Sequence, residues 1–425
     1  MNIVSVRRAF LLWLALFAVS ATTAGLPATP GSDLSEPEAH ILLVTESIVS
    51  DADLDLRDEY GARSWRGFYD GELVPLAGPR DGRLLEPAGI AFPLLIAPAY
   101  ALGGALAVQL FLAALAALGF VLAAALARRL VPDPWATGAA IVGALGAPAL
   151  IAATMLSPEA PAATMVAGAA VLALRVRDSQ RTAAAFGGAT LVALLPWMGV
   201  RFGVPAAVIA FALARWMRRQ GPSRFAALEV MLLSAVVYVT VNERLFGGPT
   251  PDAVLAAPGG SGADGVIDHL ARAPRLLGLW IDRDAGLLRW APFFALAFVA
   301  LGLAWRSHRE RLSLALPGQR DVELSATFLG AVCAAAVLAA AFGAPVLGAP
   351  WFAGRELVAV LPCAAALSAW GLRRRPRTGA ALALLTVVAS LWLALALRVD
   401  DDAGLAPARG PLPWLGAEDA LPRLR

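Results

Sequence analysis

Four groups of side chains have types and spacings that could do chemistry. The first is Asp33-Leu34-Ser35-Glu36-Pro37-Glu38-Ala39-His40. Paired carboxylates with an imidazole at a helix start can supply a general base or metal ligands. They can equally be acidic charge that complements the positive end of a helix dipole. The second is Asp51-Ala52-Asp53-Leu54-Asp55-Leu56-Arg57-Asp58-Glu59-Tyr60. A calcium loop of the EF-hand type needs Gly at its sixth position and Glu at its twelfth. Here those positions hold Leu56 and Ala62, so that reading fails and a solvated turn is expected. The third is Glu159, the one charge in the short stretch Ser157-Pro158-Glu159-Ala160-Pro161. The fourth is a set of arginines at the ends of apolar runs: Arg201, Arg283, Arg289 and Arg355. A guanidinium presents a planar fork suited to phosphate, and it can also simply anchor a helix end at an interface.

The elements that must position these groups are membrane helices. Of the 425 residues, 59% are hydrophobic and 16% charged, with mean hydropathy +0.67. That is more apolar surface than one aqueous core can hide, which excludes a soluble globular enzyme and a disordered chain. Runs of about 20 apolar residues cross a bilayer as helices. Eleven candidate spans (range 10–13) are expected at roughly 9–28, 104–127, 134–155, 160–175, 182–199, 203–217, 225–242, 290–305, 326–344, 356–371 and 379–397. Ile90 to Gly103, with Pro93 and Pro98, adds too much length to the second span and reads as an interfacial or re-entrant segment. The fold class is therefore an all-α integral membrane protein.

All 35 basic residues are Arg, and 19 fall in six segments on one side of the expected bundle, whereas 26 of the 32 acidic residues fall on the other. By the positive-inside rule the arginine-rich side is cytoplasmic, which puts the N-terminus inside. The clustering reflects topology rather than a phosphate-binding face, so no nucleic-acid partner is expected despite a pI near 9.3. Residues 1–397 form one polytopic domain with two large outer loops, 29–89 and 243–289, and residues 398–425 an outer tail. The second loop holds Pro258-Gly259-Gly260-Ser261-Gly262 and an amphipathic helix from Val266 to Trp280. The first span could alternatively be a cleaved signal peptide. Cys333 and Cys363 lie in apolar runs as small core residues. Span interiors are nearly free of charge, Glu229 excepted, which argues against a transporter or channel. The carboxylates gather in outer loops, where a membrane-surface enzyme would need them.

In order and placement these motifs resemble the GT-C class of membrane glycosyltransferases. The likeness is to family-39-like bacterial proteins related to protein O-mannosyltransferases and lipid A aminoarabinose transferases. It is carried by Glu38-Ala39-His40-Ile41-Leu42-Leu43, Asp53-Leu54-Asp55-Leu56 and Gly89-Ile90-Ala91-Phe92-Pro93-Leu94-Leu95-Ile96-Ala97-Pro98. Further matches are Ser157-Pro158-Glu159, Leu195-Pro196-Trp197, Asp282-Arg283-Asp284-Ala285-Gly286-Leu287-Leu288 and Gly354-Arg355-Glu356-Leu357. The resemblance implies a polyprenyl-phosphate-linked sugar donor, a glycan, lipid or protein acceptor at the outer membrane face, and inversion at the anomeric carbon. It implies Glu38 as catalytic base and Glu159 as a ligand of acceptor or metal, so a divalent metal stays open as cofactor. Glu36, His40, Arg201, Arg283 and Arg355 complete the expected substrate-binding set. The chain departs from the pattern where the acidic pair and the residue before His read Pro37-Glu38-Ala39. Two other readings stand beside it: a non-catalytic envelope-assembly or lipid-binding membrane protein, and a lipid-linked-glycan flippase or polymerase.

Overall fold

The computed structural model describes residues 3–29, 31–219, 222–256, 271–310, 317–344 and 351–399, with 404, 405 and 422. The Gly-rich stretch 258–262, the start of the expected amphipathic helix and most of the 398–425 tail lie outside the described residues. The fold is all-helical: 77% of it is helix, with no strand among the described residues.

In chain order the helices are α1 (Ile3–Ala21), α2 (Glu36–Ser50), α3 (Arg57–Ala62), α4 (Ala91–Ala127), α5 (Trp135–Leu145), α6 (Ala147–Ala152), α7 (Glu159–Ser179) and α8 (Thr182–Met198). There follow α9 (Gly203–Trp216), α10 (Pro222–Phe246), α11 (Arg275–Ile281), α12 (Leu287–Trp290), α13 (Leu296–Arg309), α14 (Pro317–Gly343), α15 (Leu361–Arg374) and α16 (Pro376–Val399). Each of the eleven expected spans has a helix or a broken pair of helices at its place. Six stretches are long and apolar enough to cross a membrane: 91–127, 159–179, 225–255, 318–343, 355–374 and 376–399.

Three spans are interrupted where the sequence supplies a reason. The fourth helix breaks at Gly103 and at Gly104, whose φ of 63° few side chains tolerate. Ala91 to Leu102 therefore forms a separate helical arm, in keeping with a segment too long for one crossing. The third span divides at Gly146, which precedes Pro148 and separates α5 from α6. The tenth begins as a 3-10 turn, Arg355–Val360, before α15. The centre is Ala- and Gly-rich, so backbones approach closely. A Cβ on Gly119 would lie 2.9 Å from Thr164 Oγ1 on α7, which packs between α4 and α8. By contrast α10 rests mainly on α8, and Leu232, Leu233 and Val236 face outward.

Residues 22–90 cover one end of the bundle, here the loop end. Its own small core of Leu43, Val44, Leu56, Trp65, Leu73 and Leu84 packs beneath α2. The helix starts at Glu36, where Ser35 and Glu38 close a capping box.

Candidate active site

The sequence Ser35-x-x-Glu38 places a carboxylate at the third position of α2, where it folds back on the helix start. Glu38 Oε2 accepts hydrogen bonds from Ser35 N (2.9 Å) and Ser35 Oγ (2.7 Å). Its Oε1 accepts one from Leu156 N (2.8 Å), tying α2 to the turn before α7. The residue is 4% exposed. Burial raises its pKa, outweighing the lowering by these donors and by Arg355. An ionised carboxylate has about four acceptor positions. With three donors in place, roughly one position is left for an incoming proton.

Glu38 is on the wall of a narrow cleft of only about 20 Å³, together with Asp33, Ser35, Gln109, Thr154 and Trp351. Asp33 is exposed at the rim. Trp351 leads from this cleft to a second group of charges, because the Arg355 guanidinium sits 3.7 Å from the centroid of its ring.

That group draws charges from three distant parts of the chain. Glu159, at the start of α7, has a side chain only 1% exposed. It pairs with Arg355 Nε at 2.6 Å and with Arg201 Nη2. Arg201 comes from the 3-10 turn Val200–Phe202 between α8 and α9, and its Nη1 reaches Glu356 Oε2 at 2.6 Å. Two guanidiniums and two carboxylates thus neutralise one another, as buried charges must to remain ionised. Arg355 Nε meets Glu159 as an ion pair without hydrogen-bond geometry, and no nitrogen of this guanidinium, the two-pronged terminal fork included, makes a hydrogen bond among the described residues. Gly354 makes this placement possible: at φ +77° it turns the chain, and a Cβ there would lie 2.9 Å from Leu287 Cδ1.

The remaining expected residues divide. His40 is buried in a cluster of its own, with Nδ1 3.0 Å from Tyr60 OH. Tyr60 OH donates to Glu86 Oε1 at 2.7 Å, so it accepts from His40, which fixes the ring proton on Nδ1. Glu36 is largely exposed, 4.0 Å from His40 Nε2. Arg283 does not join the Glu159 cluster. It lies in the turn after α11, where its backbone N donates to Pro422 O (3.0 Å). That turn does touch the site through its backbone, as Gly354 N donates to Ala285 O (3.0 Å). Glu159 does not fit a metal site, because two guanidiniums occupy its surroundings and would repel a divalent cation.

Sequence reasoning did not single out Asp33, Tyr60, Glu86, Trp351 or Glu356 as site residues. Glu356 was within reach, since a carboxylate directly after an arginine at a span end begs for a partner. Nothing local marks Glu86, which the fold brings to His40 from 46 residues away.

The fold is that of a polytopic helical membrane protein with charged residues gathered at its loop end, matching a solved GT-C architecture. The structure of ArnT from Cupriavidus metallidurans in the apo state matches with a TM-score of 0.57 at 13% identity, over 93% of this chain and 70% of that one. The same protein bound to undecaprenyl phosphate matches with a TM-score of 0.54 at 15% identity, over 92% and 71%. ArnT is a lipid A aminoarabinose transferase of the GT-C class. The expected GT-C resemblance therefore holds at the level of fold. No family model matches the sequence, and no curated protein matches it either.

Proposed function

We propose that this protein is a membrane glycosyltransferase that moves a sugar from a polyprenyl-phosphate donor to a hydroxyl acceptor at the extracytoplasmic face. The observation that carries the reading is the convergence of Glu159, Arg201, Arg355 and Glu356 beside a cleft lined by Asp33 and Glu38. It is supported by a fold shared with a protein solved in complex with undecaprenyl phosphate.

In this reading the donor phosphate meets the free fork of Arg355, and the lipid tail runs down an apolar cavity of about 290 Å³. Leu357, Val360 and Leu361, just after Arg355, line that cavity with Phe294, Phe298 and Val337. Arg201 and Glu159 hold Arg355 in place rather than touch the donor. Glu38 takes the proton of the acceptor hydroxyl. The hydroxyl oxygen forms a bond to the anomeric carbon as the bond from that carbon to the phosphate oxygen breaks. The electron pair leaves with the polyprenyl phosphate, whose charge Arg355 stabilises. One displacement inverts the anomeric centre. The loop end then faces away from the cytoplasm and the N-terminus lies inside, as the arginine distribution demands. In a cell this is the inner or plasma membrane.

Transfer of radiolabelled sugar from polyprenyl-phosphate-sugar, in membranes containing the protein and not in control membranes, tests the activity. A second reading, a non-catalytic lipid-binding protein, has its own observation: Glu38 already serves a capping box, and the arginines are neutralised. Saturable donor binding with no transfer to any hydroxyl acceptor would favour it.

A further inference from the structure

The acidic turn rejected as an EF-hand has a different geometry from the one its spacing was tested against. Asp51 caps the C-terminus of α2, while Asp58 and Glu59 lie in the first turn of α3. The fold closes these two helix ends on one another, so that one ligand oxygen from each of the three residues lies within 4.8 Å of the others. Asp51 and Asp58 are exposed and by themselves would be an ordinary solvated cluster.

Glu59 is what sets the cluster apart. It is only 5% exposed, and neither carboxylate oxygen has a hydrogen-bond partner among the described residues. The nearby hydroxyl of Ser47 is directed to Asp53, 3.0 Å from Oδ1. A buried carboxylate with no donor is costly to keep.

We propose that Asp51, Asp58 and Glu59 bind one calcium ion, which staples the end of α2 to the start of α3. The donors are all oxygen, which selects a hard cation over zinc or copper. Three carboxylates on one ion favour calcium, because magnesium is usually held by one or two and keeps most of its water. The ion acts on the neighbouring site through the chain. Tyr60 follows Glu59 directly, and its hydroxyl joins His40 of α2 to Glu86. Fixing Glu59 therefore fixes the register of α2, the helix that carries Glu38. This site does not depend on the proposed transferase activity.

The test uses the full chain in detergent, stripped with a chelator and titrated with calcium by calorimetry. Melting temperature is followed in parallel, as is terbium luminescence sensitised by Tyr60 and Trp65. One saturable ion per chain is expected, with a rise in melting temperature on binding. Asp51→Asn and Asp58→Asn, both at exposed positions, should each weaken binding tenfold or more while keeping the wild-type melting temperature in chelator. Glu59→Gln should abolish the site. Absence of saturable binding at millimolar calcium overturns the proposal, as does binding that all three variants leave within twofold of wild type. Magnesium binding as tight as calcium overturns the choice of ion.

Discussion

Among single residues, Glu38 and Arg355 carry the most weight, and each has a second role that its test must separate. Glu38→Gln keeps the shape and can still accept from Ser35, but an amide offers fewer acceptor positions than a carboxylate. It should lower transfer by about 10²–10⁴, the usual size of general-base catalysis. It should also lower the melting temperature, because the capping box weakens. Asp33→Asn, at the exposed rim of the same cleft, should leave the melting temperature unchanged and cost far less activity. A transferase that survives Glu38→Gln but loses its turnover with Asp33→Asn would move the base to Asp33. For Arg355 the conservative change is the informative one. Arg355→Lys keeps the charge but loses both the fork and the flat contact on Trp351. Donor affinity should fall by about tenfold or more, with membrane insertion unchanged. Wild-type affinity in a donor-binding titration would reduce Arg355 to a helix-end anchor. Arg355 stood out in the sequence as an arginine at a span end, and Glu38 through the resemblance to membrane glycosyltransferases. Their partners were harder to see. The pairing of Arg201 with Glu159 and Glu356 spans 42 and 155 residues, and only packing of the helices brings them together.

At the scale of elements, the spans and the break at Gly103-Gly104 could be read from apolar runs and their length, whereas the division of the third span could not. Gly146 sits in a continuous apolar stretch, and periodicity has no way to mark the division it makes between α5 and α6. The capping box was on view as Ser35-x-x-Glu38, yet the same letters also read as paired catalytic carboxylates, and sequence alone does not separate those meanings. The turn at Gly354 gives an element-scale test. A side chain there meets both an unfavourable left-handed backbone and the Leu287 contact at 2.9 Å. Gly354→Ala should therefore destabilise the protein by about 1–2 kcal/mol from backbone strain alone, measured as a lower melting temperature. It should also weaken donor binding, because Arg355 is the next residue. An unchanged melting temperature together with unchanged binding would show that the turn does not position the fork.

For the whole molecule, the proposed orientation rests on arginine placement and is open to direct measurement. Val74 is 68% exposed in the loop that covers the site. With Cys333 and Cys363 replaced by Ala, Val74→Cys should react with an impermeant thiol reagent in intact cells. Reaction only after lysis would invert the topology and move the proposed chemistry to the cytoplasm. The uneven burial of the helices bears on the history of the sequence rather than its chemistry. The most apolar part of α7 is 72% buried, whereas that of the stretch 225–255, which holds most of α10, is only 11% buried. Lipid accepts almost any apolar shape, but a packed helix face does not. Exchanges among Leu, Ile, Val and Phe at Leu232, Leu233 and Val236 should be nearly neutral in a saturation-mutagenesis screen for folded protein. Enlarging Ala163, Ala167 or Ala170 to Leu should cost about 1–3 kcal/mol each. Between related chains, α10 would then drift fastest and α7 slowest, so two homologues could differ almost everywhere along one helix while remaining recognisable by the other.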